Sequence, residues 1–252
     1  MHIRPGIELG NLTDTGCYRD ENQDYYCYAE PEDEEEFAHK GRLAVIADGM
    51  GGHEGGQVAS RIAVEHVRDA YLAQPDSDPR ENLIAAFREA HSAIQQYAHD
   101  HPELEGMGTT CTCAVLKNNQ LYYGHVGDSR LYLIRQGAIS LVTEDHSYVQ
   151  GLVRQGMLTP EEAAVHPQRN ILTAALGTES AVPADFSQEP MPLAPGDVLL
   201  LCTDGLHGLV SDRDLLFSAG GSPAGDACQE LVQMAKNRGG FDNIAVQILR
   251  IL

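Results

Sequence analysis

The chain has 252 residues, 42% of them hydrophobic, with a formal net charge of −20. That length buries a substantial core, while the acidic balance excludes nucleic acid as the main partner, since phosphate backbones demand clustered Lys and Arg. No apolar run approaches the roughly 20 residues needed to span a bilayer, and MHIRPGIELG lacks the regions of a signal peptide, so a soluble cytoplasmic protein without a membrane partner is expected. The six cysteines form no CxxC pair and have no zinc-type spacing with histidine, which predicts reduced thiols; Cys202 reads as a small buried hydrophobe.

In chain order, strands are expected at Ile7–Thr13, Tyr25–Ala29 and Leu43–Ala47, with the acidic run Glu30–Glu36 read as a solvated loop. After the glycines of 49–56 the period becomes helical. Val58, Ile62, Val67, Ala70 and Tyr71 share one face up to a turn at 75–79. Leu83, Phe87, Ala90, Ile94 and Tyr97 mark a second helix. Period two then returns over 110–117, 120–126 and 130–135, with Asn118-Asn119 as a tight hairpin turn. Residues 144–180 mix short helical pieces with polar turns. Strands at 184–189 and 197–203, helices near 211–218 and 223–237, and a strand over Asn243–Leu252 complete the chain. Helix pairs inserted between antiparallel strand runs predict an α+β fold of packed sheets with helices outside. No Pro/Gly/Ser linker divides the chain, so one domain spanning 1–252 is expected.

The chemistry lies in four aspartates at the ends of apolar runs: LAVIADGMGGH, GHVGDSRLYLI, VLLLCTDGL and DNIAVQILRI, giving Asp48, Asp128, Asp204 and Asp242. A carboxylate where a buried strand surfaces is costly unless neutralised. One Asp-Gly alone reads as a turn or cap. Four at equivalent strand ends read as one anionic pocket that recruits cations. Oxygen ligands suit Mg²⁺ or Mn²⁺, and the Gly49 carbonyl lies open to close approach. Two such ions can hold a bridging hydroxide for in-line attack on phosphorus. Competing chemistries find no support. The glycine run has no GK[ST] and no dinucleotide spacing, no cysteine has a phosphate-loop arginine, and there is no GxSxG elbow.

RDENQD (19–24), ADGMGGH (47–53), GTT (108–110), HVGDSR (125–130), TEDHS (143–147), CTDGL (202–206) and DNIAV (242–246) together resemble the metal-dependent PPM, or protein phosphatase 2C, family of serine/threonine phosphatases, in its bacterial branch. The motifs stand in family order across residues 7–252. The resemblance implies a four-layer α-β-β-α sandwich, two antiparallel sheets flanked by helix pairs, with metals at one end. It implies that Asp48 bridges two core Mn²⁺ or Mg²⁺ ions, that the Gly49 carbonyl serves the second, and that Asp204 and Asp242 complete the first. Asp128, with Asp204, corresponds to the residue holding a weaker third ion, and Arg19 to the arginine that grips substrate phosphate. Arg19, Asp48 and Asp128 are thus the candidate catalytic residues; for Arg19 alone, a plain surface arginine is the competing reading.

Gln23 stands where many eukaryotic members carry glutamate, which implies a second ion held through water and oriented by Asp24. Met50 replaces a histidine proposed as general acid, leaving water, or His53, as the proton source; His53 also reads as a helix cap. The segment 146–178 resembles the family's flap. Its Arg154, His166 and Arg169 have two readings, phosphopeptide contacts or solvated loop. The expected function is metal-dependent hydrolysis of phosphoserine and phosphothreonine in proteins that are targets of a cognate Ser/Thr kinase, by a monomer. The alternatives are a pseudophosphatase acting as a regulatory binding module and a phosphatase for small phosphoesters.

Overall fold

The central strands are apolar on both faces, and that sets the layering. The computed structural model describes residues 3–51, 55–74, 78–178, 182 and 184–252. The chain begins with β1 (Ile7–Asp14), β2 (Asp24–Ala29), α1 (Glu34–Lys40), β3 (Arg42–Met50), α2 (Gly55–Ala73) and α3 (Pro79–Asp100). It continues through β4 (Gly108–Thr109), β5 (Cys111–Lys117), β6 (Gln120–Val126), β7 (Arg130–Arg135), β8 (Ala138–Leu141), α4 (Tyr148–Arg154) and α5 (Pro160–Ala164). The last part comprises β9 (Asp185–Phe186), β10 (Met191–Pro192), β11 (Val198–Cys202), α6 (Asp204–His207), α7 (Asp212–Gly221), α8 (Ala224–Asn237) and β12 (Ile244–Ile251).

Two antiparallel sheets result, ordered β1-β12-β11-β7-β8 and β10-β6-β5-β3-β2, with β4 paired to β3 and β9 to β6. Strand alternation assigns each side chain to a layer. Leu43, Val45 and Ala47 of β3 face α2 and α3, joining Val67, Leu83, Phe87 and Ile94. Ala44 and Ile46 point the other way, to Leu199, Leu201 and Leu249 between the sheets. Val198, Leu200, Val246 and Ile248 pack on Leu215 and Leu231 of α7 and α8. The architecture is therefore the α-β-β-α sandwich expected, with Cys202 buried in its core.

Asn118 and Asn119 (φ 52 and 56) form the two-residue turn from β5 to β6, with Lys117 opposite Gln120. A second such turn at Gln136-Gly137 adds β8. That edge strand escapes period-two reading because only Ile139 of its four residues is shielded. The strand expected over 184–189 shrinks to Asp185–Phe186. The acidic run also departs from expectation, since Glu34–Glu36 open α1 instead of lying in a loop. Asp33 Oδ1 accepts from the Glu35 and Glu36 N–H groups at 2.8 and 3.0 Å, and carboxylates favour a helix N-terminus. Arg4 pairs with Glu34 and lies 4.6 Å from the centre of the Phe37 ring.

Phe87 is fully buried, meets Phe186 edge-on at 5.2 Å, and covers Gly124 of β6. Phe87→Ala should lower unfolding free energy by about 3–5 kcal/mol, read as a lower urea midpoint at unchanged m-value.

Candidate functional site

Antiparallel pairing brings the ends of β3, β6 and β11 and the starts of β2, β7 and β12 to one end of the sandwich. Asp24 opens β2 directly opposite Asp48 in the β2–β3 register. Asp128 lies in the turn from β6 to β7, Asp204 is the first residue of α6, and Asp242 stands two residues before β12. Asp48 is within hydrogen-bond reach of both Asp24 and Asp204, and also feels the charges of Asp128 and Asp242. The structure thus gathers the four sequence-predicted aspartates and adds a fifth. Asp48 sits inside β3 rather than just past it, because the strand continues to Met50 by pairing with β4. The GTT segment fixes it there. Thr110 Oγ1 accepts from the Asp48 N–H at 2.8 Å, and Thr109 Oγ1 donates to the Asp48 carbonyl at 2.8 Å.

Burial lifts the Asp24, Asp48, Asp128 and Asp204 carboxyls above the usual range, and the neighbouring negative charges lift them further. Asp24 Oδ1 and Asp204 Oδ1 are buried with no hydrogen-bond partner among the described residues. Orphaned, mutually repelling oxygens of this kind call for a cation. The donor set of carboxylates plus the Gly49 carbonyl fits a hard divalent ion. A Cβ on Gly49 would overlap the Gly56 carbonyl of α2, so the close approach of β3 and helix requires glycine here. The ligand set is not preformed. No group of three or more His, Cys, Asp or Glu side chains stands ready to hold a metal among the described residues. One reason is visible: Asp242 Oδ2 is turned to Arg19, whose Nη2 donates to it at 2.8 Å.

Supporting residues hold this arrangement, and sequence reasoning assigned them no part. Thr203 Oγ1 donates to Asp24 Oδ2 at 2.8 Å and accepts from the Ala245 N–H at 2.9 Å, joining the two sheets beneath the carboxylates. The Asn243 amide donates to the Thr15 and Glu21 carbonyls and accepts from the Gln23 N–H, anchoring the loop that carries Arg19. Arg130 forms a bidentate pair with Asp145 at 2.9 and 2.7 Å, tying the Asp128 turn to the root of segment 146–178. His207 Nε2 lies 2.9 Å from the Asp128 carbonyl, and burial together with the Arg130 charge pushes its pKa down to about 4. Neutral, with Nε2 protonated, it donates to that carbonyl. Only three-dimensional geometry reveals these roles. For Thr203, Asn243, Arg130 and Asp145 the one signal in sequence is membership of the motifs, and His207 lies just past one of them.

The remaining expected residues divide. Arg19 sits beside the carboxylates and is 54% exposed, so the guanidinium edge away from Asp242 remains open to an anion. Gln23 Oε1 and the Gly49 carbonyl converge on Gly56, where an added Cβ would stand 2.6 and 2.7 Å from them. Met50 packs its methyl toward Gly108. His53 lies outside the described residues. In segment 146–178, Arg154 is bound to Glu144 at 2.6 Å and His166 Nδ1 accepts from the Gln168 N–H. Arg169 does reach the site, lining a cleft of about 440 Å³ that also contains Asp128, Asp204 and Asp242.

Comparison with known proteins agrees with this geometry. Residues 20–239 match the family model described as protein phosphatase 2C. The chain is 38% identical to the protein phosphatase PhpP of Streptococcus pneumoniae, covering 96% of this chain and 97% of that protein. It is also 38% identical to the serine/threonine protein phosphatase PstP of Mycobacterium tuberculosis over 84% of its length, spanning only 40% of that longer relative. The solved catalytic domain of PstP in complex with two manganese ions superposes with a TM-score of 0.85 at 33% identity, covering 98% of this chain and 99% of that one.

Because their folded pKa values are raised, these aspartates hold protons in the folded state that the unfolded chain has released above about pH 3.9. Chelator-treated protein should therefore lose stability as pH rises from about 4 toward the folded values. Asp204→Asn removes one of the repelling charges. Its Tm in excess chelator should exceed that of the parent by about 2–6 °C at pH 7.5, while the rise in Tm on adding Mn²⁺ should shrink. A chelated variant melting below its parent would count against the repulsion.

Proposed function

Given that the chain belongs to the protein phosphatase 2C family, we propose that it is a divalent-metal-dependent phosphatase acting on phosphoserine and phosphothreonine in proteins. The observation that carries this reading is the cluster of Asp24, Asp48, Asp128, Asp204 and Asp242 at one end of the sandwich, with two buried carboxylate oxygens unpartnered among the described residues. Asp48, Asp204 and Asp242 would hold the first ion, and Asp48 with the Gly49 carbonyl the second. Asp128 and Asp204 would hold a third, weaker one. When bound, Mn²⁺ or Mg²⁺ supplies an activated water at neutral pH and offsets charge on the phosphoryl group.

The protein's own groups do the rest. Arg19 binds two phosphate oxygens through its fork, and its anchor to Asp242 aims that fork at the ion site. Donors fixed before substrate arrives need no reorganisation during reaction. Thr109 and Thr110 fix the Asp48 main chain at the cluster, and Thr203 holds the Asp24 carboxylate in it. The Met50 thioether has no proton to give, so the leaving serine or threonine oxygen takes its proton from water in the cleft. Residues 1–252 act as a single catalytic domain, and segment 146–178 is a flap over the cleft that holds Arg169. The substrates are targets of a cognate Ser/Thr kinase, and the enzyme works as a cytoplasmic monomer. No helix among the described residues is long and apolar enough to cross a membrane.

Phosphate release from a phosphoserine protein should require Mn²⁺ or Mg²⁺ and stop in excess chelator. Asp48→Ala should lower kcat by about 1,000-fold or more, since it removes the shared ligand. Arg19→Ala should lower kcat/KM by about 10- to 100-fold, the worth of a charge-assisted phosphate contact. Unchanged turnover in Asp48→Ala would refute the metal-centred mechanism, whereas a parent chain with no Mn²⁺- or Mg²⁺-dependent turnover would leave a binding module in its place.

A further inference from the structure

Beside the site, two loops far apart in sequence are joined rung by rung. The Cys17 N–H donates to the Gly240 carbonyl at 2.8 Å, the Tyr18 ring lies against the Phe241 ring at 5.4 Å, and Arg19 pairs with Asp242 at 2.8 Å. The loop that aims the phosphate-binding arginine thus also aims Phe241. Phe241 belongs to none of the hydrophobic core clusters and is 59% exposed. Its position is nevertheless dictated. Gly239 (φ 129) lies so close beneath the ring that a Cβ there would overlap it, and Tyr18 covers its flank. A large aromatic held in place while facing water contributes little to folding, and such residues are typical anchors for ligands.

The ring borders the same 440 Å³ cleft that ends at Asp128, Asp204 and Asp242. Pro160 and Ala164 of α5, Leu209 and Leu141 line the same cleft. The start of α5 is capped. Thr159 and Glu162 form a reciprocal capping box, with the Thr159 N–H donating to Glu162 Oε2 at 2.8 Å and Pro160 at the first helical position. One end of the cleft is built for an anion and its flank for a hydrocarbon. The two are continuous.

We infer that this flank is a subsite for a bulky apolar side chain (Leu, Ile, Met or Phe) of the substrate, within two residues of the phosphorylated one. The inference rests on the phosphatase reading above. Phe241 directly precedes Asp242, the partner of Arg19, and an extended substrate advances about 3.3–3.6 Å per residue, so a near neighbour of the phosphorylated residue meets this flank. The register between anion and hydrocarbon is set by the 17–19/240–242 zip.

The test uses the full chain with Mn²⁺ and phosphoserine peptides of Gly/Ser background, with Leu placed in turn at each of the two positions on either side of the phosphoserine. p-Nitrophenyl phosphate, which has no side chain to dock, reports turnover separately. Leu at one of the four positions should raise kcat/KM by about 5- to 50-fold over Gly, the range for burying such a side chain in part or fully. Ala164→Trp, which fills the cleft, should reduce that ratio to about twofold or less. Ratios within about twofold at every position in the parent enzyme would overturn the subsite, and that series decides the matter even if Ala164→Trp fails to fold. Absence of turnover on every substrate, p-nitrophenyl phosphate included, would overturn the phosphatase reading and this one with it.

Discussion

The repulsion among carboxylates at the end of the sandwich is the constraint around which the molecule is arranged. Asp24 and Asp48 face each other across neighbouring strands, and like charges directly opposite on a sheet are destabilising. Nothing in the apolar layers behind them can compensate. The compensation is assembled locally: threonine hydroxyls on Asp24 and on the Asp48 backbone, and a guanidinium on Asp242. What remains unmatched is a concentrated negative potential with oxygens to spare. A fold that holds such a cluster gives up stability for a binding site, which is the usual relation between strain and function.

The same logic extends outward through a second charge pair. Arg130 and Asp145 are mostly shielded and bind through two hydrogen bonds. Pairs of this kind add little net stability against an apolar replacement but are costly to break singly. Here the pair fixes a spatial relation. It locks the turn bearing Asp128 to the strand exit from which segment 146–178 departs, and the His146 N–H adds a bond to the Gly127 carbonyl at 2.7 Å. Segment 146–178 and the anionic cluster therefore share one root, while the distal part of the segment rests on its own caps and on single bridges such as Ser147 to Leu172.

Much of this could be read in the sequence, and the boundary has physical causes. The long strands and helices α2, α3 and α8 were legible because they bury whole faces, so their apolar spacing states the period directly. β8 was not, because an exposed edge strand has no face to betray it. α1 was masked by its own charge: a run of glutamates reads as solvated loop until Asp33 is seen capping it. In the site, Asp48, Asp128, Asp204 and Asp242 stood out because an aspartate ending a buried strand is an anomaly. Asp24 follows no apolar run; the family resemblance gave it a part in orienting the second ion, but its place opposite Asp48 emerges only from strand register. Thr203, Asn243 and His207 act through main-chain partners up to 228 residues away, and sequence spacing carries no record of such pairings.

The zip between residues 17–19 and 240–242 bears on how the molecule comes into being. Arg19 emerges well before its partner Asp242, which lies 223 residues further on, next to the strand β12 that flanks β1 and β11. Until β12 is present, β1 has no neighbour, Asn243 does not hold the arginine loop, and the first sheet is split between β1 and β11. A growing or truncated polypeptide that stops short of residue 242 can still pack α2 and α3 on β3 and β5, yet lacks both the anchor for Arg19 and one of the central carboxylates. The proposed chemistry therefore waits on residue 242: a nascent chain on the ribosome stays inert until that residue has been added and β12 has paired with β1 and β11.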